Sequence, residues 1–375
     1  MKKLALVLGS LLVVGSVASA KEVMPAPTPA PEKVVEYVEK PVIVYRDREV
    51  TPAWRPNGSV EVELRNWGEV EGHKGKDTYW DGKDYWTQLR TTTKINFTEK
   101  QSLKIHTRNK YGLKRANNEL AEAERLELTH TYKFGNLGSS KIDTRLETKF
   151  RHSGSKKFVE VKPVFDFSEY FFKNDYVKAT ALELAPFYRY VWGAPVEASD
   201  RYTNIYGLYA NAEFDLPWGM TFQAEFDDGI FAYGRENRNS GNVGEDLTAK
   251  YGNVELTLTK EFQLYKSAKN DLRLHLEGVY ETSYSWSKKD VASVEGFGTV
   301  RANGKRERLG GYSAKFDPAI VYNFKATDYV TLFTRVGAEY KNRSKSADSG
   351  SSTNRHGAKH WRWQPYARVG FKATF

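Results

Sequence analysis

The sequence predicts an all-β chain: a transmembrane antiparallel β-barrel of about fourteen strands (14–16), preceded by an N-terminal signal peptide and a proline-rich extension. Three observations carry that prediction. From Asn57 onward, apolar and polar side chains alternate with a period of two in segment after segment, the pattern of strands with one greasy and one wet face. The connectors between those segments alternate between short and long. Finally, 14% aromatic residues, with 23 Tyr against 3 Met, coexist with a mean hydropathy of −0.64. A membrane barrel reconciles these values, because only alternate residues meet lipid while Tyr and Trp gather at the two interfaces.

The N-terminus reads as a secretory leader over 1–20. Lys2 and Lys3 precede an apolar run from Leu4 to Val14, and Ala18-Ser19-Ala20 is a small-x-small cleavage site, too short and wrongly flanked for a membrane span. Lys21 follows rather than Cys, which argues against a lipid-anchored start. Loss of Lys2 and Lys3 takes the formal charge from +10 to +8. Nucleic acid would be a natural partner for that balance only in the cytosol; an exported chain meets lipid headgroups and charged solutes instead. The chain has no Cys, which excludes disulfides, thiol catalysis and Cys-ligated metals. No apolar run after the leader approaches the ~20 residues of a membrane helix.

Residues 21–56 form a separate region. Pro25, Pro27, Pro29 and Pro31 favour an extended spacer, and the Val34–Val44 stretch is interrupted by Glu36, Glu39 and Pro41. It reads as a periplasmic linker, or as a short element that plugs the pore, contacts a neighbour or meets the cell wall.

The barrel itself is assigned to 57–375. Its apolar faces begin with Val60, Val62 and Leu64, continue through Leu89–Phe97, Leu103–Tyr111, Leu126–Phe134, Ile142–Phe150, Val159–Phe167 and Leu182–Tyr190, and then Tyr206–Phe214 and Met220–Phe226. Val254–Leu264 follows, with Lys260 spoiling the face; then come Leu272–Trp286, Ala314–Phe324, Val330–Tyr340 and the last strand, Trp361 to Phe375. Short turns are expected at 98–101, 135–140, 168–175, 216–219, 267–271 and 325–328. Longer segments are expected at 68–84, 112–123, 151–157, 193–200, 228–246, 287–311 and 341–358. Short turns on the periplasmic side and longer loops outside are what a transmembrane barrel shows. Alternation alone does not say which face points inward. Strand length of ~10 residues, the aromatic residues near strand ends and the export signal favour the membrane version.

A long final strand is an aggregation hazard unless it is paired. Closure onto the Val60–Leu64 strand removes that edge, and a terminal Phe375 resembles the C-terminal signal of bacterial outer-membrane proteins, which the barrel assembly machinery reads. The whole chain also resembles the major outer-membrane porin family of fusobacteria, the FomA type. The likeness is carried by the opening MKKLALVLGSLLVVGSVASAKEV, the spacer PAPTPAPEKVVEYVEKPVIVYRDREVTPAWRPNGSVEVELRNW and the ending PYARVGFKATF. That resemblance implies a general diffusion channel in the outer membrane for small hydrophilic solutes and ions, a homotrimer, and loops that also attach to other cells. It carries no site residues with it.

Porins filter rather than react, so the candidate site is the inner wall. The first five strands and the last supply basic inward residues: Arg65, Arg90, Lys94, Lys104, Arg108, Lys110, Arg125, Arg145, Arg362 and Arg368. Strands eight to ten supply acids: Glu213, Asp215, Glu225, Asp227 and Glu255. In a closed barrel of this size these walls face each other. One reading is a transverse field that orients dipolar solutes; the other is scattered solvated charges, some in salt bridges along the wall. No catalytic residue, cofactor or metal site is expected. His130 faces outward with no Ser nearby, and His152-Ser153 lacks an evident oxyanion donor. His356 and His360 have a zinc spacing only on a helix, which the adjacent Gly357 opposes. The Lys305–Arg308 cluster reads as a solvated tip facing lipopolysaccharide. The alternative to a channel is an adhesin, a barrel that displays the 228–246, 287–311 or 341–358 loops for cell–cell binding. Partners on either reading are outer-membrane lipid and lipopolysaccharide.

Overall fold

The structure, a computed structural model, describes residues 33–38, 42–47, 54–72, 84–112, 124–154, 156–193, 202–233, 247–287, 312–342 and 361–375. The leader at 1–20, the Pro25–Pro31 spacer, residues 288–311 and 343–358 of the two longest expected loops, the Lys305–Arg308 cluster, His356 and His360 lie outside the described residues. Contacts divide the chain into two units, Met1–Trp54 and Arg55–Phe375. In the first, β1 (Lys33–Val38) pairs antiparallel with β2 (Val42–Asp47), from Val38 opposite Val42 to Lys33 opposite Asp47. The region read as a linker therefore contains a hairpin, with Val and Tyr residues in each arm.

The second unit is a closed antiparallel barrel of fourteen strands. In chain order they are β3 (Asn57–Trp67), β4 (Trp86–Asn96), β5 (Gln101–Gly112), β6 (Arg125–Asn136), β7 (Asp143–Ser153), β8 (Lys156–Asp166), β9 (Lys178–Trp192), β10 (Tyr202–Leu216), β11 (Met220–Tyr233), β12 (Leu247–Lys266), β13 (Asn270–Ser287), β14 (Tyr312–Lys325), β15 (Val330–Asn342) and β16 (Trp361–Thr374). Each pairs with its sequence neighbours, and β16 closes on β3 with Val369 opposite Leu64 and Phe371 opposite Val62. Gly58 and Phe375 finish the seam by exchanging backbone hydrogen bonds of 2.9 and 3.1 Å. Gly58 is required there: a Cβ would lie 2.2 Å from the Lys94 carbonyl oxygen and 2.8 Å from the Phe375 ring.

Sidedness separates this barrel from a soluble one. Leu64, Val159, Leu184, Leu208, Leu258, Ile320, Val336 and Val369 are exposed on the outer set, whereas Glu63, Gln88, Glu160, Asn211, Asp317 and Gln364 are buried on the inner set. A water-soluble barrel would bury the first group and expose the second. An apolar exterior around a polar interior belongs in lipid. Aromatic pairs reinforce the end with the longer connectors: Tyr188 with Tyr206 (5.2 Å), Tyr190 with Tyr202 (5.8 Å), and Tyr340 with Trp361 (5.2 Å) and Trp363 (4.8 Å). At the opposite end, Phe134, Phe172, Trp218, Tyr329 and Phe375 are exposed. Lys260 does not break the outer face at mid-depth. It sits opposite Met220, the first residue of β11, with its ammonium 5.1 Å from the Phe262 ring centroid, so its charge lies near the turn end of the wall.

Two expected connectors are corrected. The segment 151–157 is not a long loop: β7 runs to Ser153, which pairs with Lys156 at the start of β8, and Gly154 supplies a left-handed φ of 57°. His152 and Ser153 are accordingly strand residues. The 228–246 segment is also shorter than expected at its start, because β11 continues to Tyr233. Asp228 is therefore a strand residue opposite Leu208 and Gly252.

Candidate functional site

The inner wall is assembled by register, since directly opposed residues share a face. Fourteen strands about 4.8 Å apart and tilted by about 40° form a backbone cylinder roughly 28 Å across. Side chains nearly fill an eight-stranded barrel, and a fourteen-stranded one is wider.

Every residue assigned to the basic wall takes an inner-face register position. Glu63 opposes Arg90, Arg90 opposes Arg108, and Arg108 opposes Arg125. Lys94 opposes Lys104, Gln88 opposes Lys110, and Lys133 opposes Arg145. Arg362 pairs with Lys341, while Arg368 lies between Arg335 and Arg65. The acidic residues share the same face. Asn211, Glu225, Glu255 and Glu281 form one row across β10–β13. Glu213 opposes Ala181 and Gln223, Asp215 opposes Lys178, and Asp227 opposes Tyr209 and Asn253.

The basic side is interleaved with carboxylates that pair with it. Arg65 Nε donates to Glu63 Oε2 at 2.6 Å. Arg125 and Arg151 both donate to Glu127, at 2.6 and 2.8 Å. Arg145 bridges Glu147 (2.9 Å) and Glu183 (2.8 Å), and Lys162 reaches Glu147 at 3.0 Å. Buried Glu160 accepts from Arg189 at 2.7 Å, with Lys149 at 3.6 Å. His106 lies between Arg90 Nη2 (3.4 Å) and Thr92 Oγ1 (3.1 Å). Acceptance from Arg90 at Nε2 leaves the ring proton on Nδ1, facing Thr92. At β14–β16, Asp317 accepts from Arg335 Nη2 at 2.9 Å and from the Tyr366 hydroxyl at 2.7 Å.

The opposite wall differs. Among the described residues, no Lys or Arg lies on the inner face of β10–β12 except Lys266, opposite Asp271 at the turn end of β12. Towards the middle of this wall, Glu213, Glu225 and Asp227 bond to neutral groups instead, while Glu261 nearer the turn end is held by Arg273 at 2.8 Å. The Tyr209 hydroxyl donates to Glu225, Tyr251 donates to Asp227 at 2.9 Å, and Gln223 donates to Glu213 at 3.3 Å. Where β8–β12 approach the long-connector end, Phe158, Phe187, Val191, Ile205, Phe231 and Tyr251 form a buried apolar cluster on the inner face. The Arg151 and Arg189 guanidinium carbons stand 4.7 and 4.9 Å from the Phe158 ring centroid. A second cluster joins Trp67, Ala319 and Tyr366, with Trp86 stacked on Trp67 at 3.6 Å. Both clusters were missed by the sequence reading. Their signal is a broken alternation, as where Phe158 and Val159 are consecutive apolar residues.

Closure and sidedness decide the class. The molecule is an outer-membrane β-barrel. No family model matches the chain, and no curated protein matches it. Solved structures do match. The outer-membrane channel DcaP of Acinetobacter baumannii is 9% identical with a TM-score of 0.37, over 86% of this chain and 96% of that one. A NanC porin structure is 10% identical with a TM-score of 0.32, over 83% and 98%. OmpT of Vibrio cholerae, an outer-membrane protein, is 8% identical with a TM-score of 0.34, over 86% and 97%. The class rests on the strand order and sidedness of this chain, not on those scores. Among the described residues, no group of three or more His, Asp or Glu is arranged to hold a metal ion.

Proposed function

We propose that the protein is a porin: a passive, water-filled channel through the outer membrane for small hydrophilic solutes and ions. The observation that carries this reading is the charged inner face. A barrel sealed by packing would line its interior with apolar side chains throughout, as small barrels do. Here Arg, Lys, Glu or Asp recur on the inner face of every strand, and they need water or one another. The basic residues on β3–β7 and β16 and the acidic row on β10–β13 lie on opposite arcs, so the lumen carries a transverse field, reduced by the carboxylates interleaved among the arginines.

Within this proposal, 1–20 is a cleaved leader, 21–56 a periplasmic extension and 57–375 the channel. Phe375 is the address read by the assembly machinery, and three copies associate in the membrane. The reading assigns the chain no catalytic role and no cofactor. The adhesin alternative depends on loops of which little lies among the described residues, and no observation favours it over the channel. Proteoliposomes swollen in a graded series of sugars test the proposal. Swelling that falls as solute size rises supports it; folded protein that admits none of them contradicts it.

A further inference from the structure

The arginines of the basic wall are not evenly neutralised. Going around the barrel, Arg368 lies directly opposite Arg65, and Arg108 lies directly opposite both Arg90 and Arg125. Adjacent strands are only about 4.8 Å apart, and like charges placed directly opposite destabilise a sheet. The local carboxylates are already engaged. Glu63 is held by Arg65, Glu127 by Arg125 and Arg151, and Asp317 by Arg335 and Tyr366.

Arg90, Arg108 and Arg368 make no salt bridge among the described residues. The one hydrogen bond shown for Arg90 is the long contact to His106, and Arg368 lies against the Tyr366 ring at 4.5 Å. The Nε atoms of Arg108, Arg125 and Arg368 are buried and have no partner among the described residues. The wall thus holds cations close together, with donors left over and their carboxylates used up. An anion that bridges neighbouring guanidinium groups relieves both the repulsion and the unmet donors. The planar fork of arginine matches two oxygens on one centre, which a halide does not offer. The opposite inner face, acidic across β10–β12, pushes anions back towards the arginines.

We propose that Arg368, Arg65, Arg90, Arg108 and Arg125 form a binding track for small oxyanions, phosphates and carboxylates, along one wall of the lumen. This rests on the channel reading and deepens it by naming a preferred solute class.

The test uses the full-length mature barrel in planar bilayers at about 0.1 M KCl, where screening leaves a field range of about 10 Å. Inorganic phosphate is the probe. The wild type is expected to show an anion-preferring reversal potential in a KCl gradient, and its chloride current is expected to fall as phosphate is titrated in. Arg90→Gln with Arg108→Gln should raise the half-blocking phosphate concentration by about tenfold or more, the scale of one charge-assisted hydrogen bond. A conducting wild-type channel whose current ignores phosphate overturns the track and leaves the channel standing, as does a double variant that blocks at the wild-type concentration. If the double variant does not fold, the wild-type titration alone decides. A folded barrel with no current overturns the channel reading itself.

Discussion

Asp317→Ala should be among the most damaging single substitutions in the barrel. Asp317 has no solvent exposure and lies on the inner face of β14. It accepts from Arg335 at 2.9 Å and from the Tyr366 hydroxyl at 2.7 Å, while Arg335 Nε donates to that same hydroxyl at 2.7 Å. Removing the carboxylate leaves a largely buried guanidinium without its counter-charge and a buried hydroxyl without its acceptor. Breaking one side of a buried ion pair costs about 3–5 kcal/mol. Asp317→Asn keeps the volume and one acceptor and should cost about 1.5–3 kcal/mol. Asp317→Leu combined with Arg335→Met removes both charges and should recover much of the loss. Urea unfolding in lipid vesicles, followed by tryptophan fluorescence and checked by the gel mobility of the folded barrel, reads all three. The exposed pair of Lys325 with Asp328 is the contrast. Lys325 holds the Asp328 carboxyl below its usual range through a hydrogen bond at a solvated turn, and Asp328→Asn should leave the unfolding midpoint unchanged. Asp317→Ala within about 1 kcal/mol of wild type, or no worse than the double variant, would refute the reasoning.

Other outcomes follow from the seam and the turns. Gly58→Val drives a Cβ into the Lys94 carbonyl and the Phe375 ring; it should cost about 1–3 kcal/mol and lower the unfolding midpoint in the same assay. Deletion of Phe375 should reduce the amount of folded protein in the outer membrane, counted by surface labelling, far more than it alters the conductance of channels that form; normal surface yield would contradict this. Trp218 holds a left-handed φ of 61° that glycine adopts without strain, so Trp218→Gly should raise stability in detergent by about 1 kcal/mol. A fall in stability there would mean that the exposed indole contributes more than its strained backbone costs.

The strand set was legible because lipid enforces parity. Val60, Val62 and Leu64 stand in one phase, Glu61, Glu63 and Arg65 in the other, and the same rule recurs until Phe375. The closing partner of the last strand was legible for the same reason: an unpaired β16 has only β3 left to meet. What escaped was whatever depends on register rather than parity. Glu127 and Arg151 are 24 positions apart, and nothing in either strand alone says that they meet. Salt bridges along the wall were one of the two readings of the sequence, but which carboxylate meets which cation was not legible until strands were paired. The inner clusters around Phe158 and Trp67 escaped because apolar residues on both faces of a strand read as noise in an alternating pattern. The tight turn at Gly154 was hidden by polar and basic residues on either side, which resemble a loop until Ser153 is seen opposite Lys156. The β1–β2 hairpin was masked by the prolines before it and by Pro41 in the sequence between its arms.

The central claim is that this barrel encloses a continuous aqueous path walled by charge, and single-channel recording on the purified mature protein tests it most directly. Reconstituted in planar bilayers, it should give stepwise current in ordinary salt, with a conductance that rises with salt concentration. Several folded preparations, verified by gel mobility, that produce no steps at any applied voltage would contradict the account.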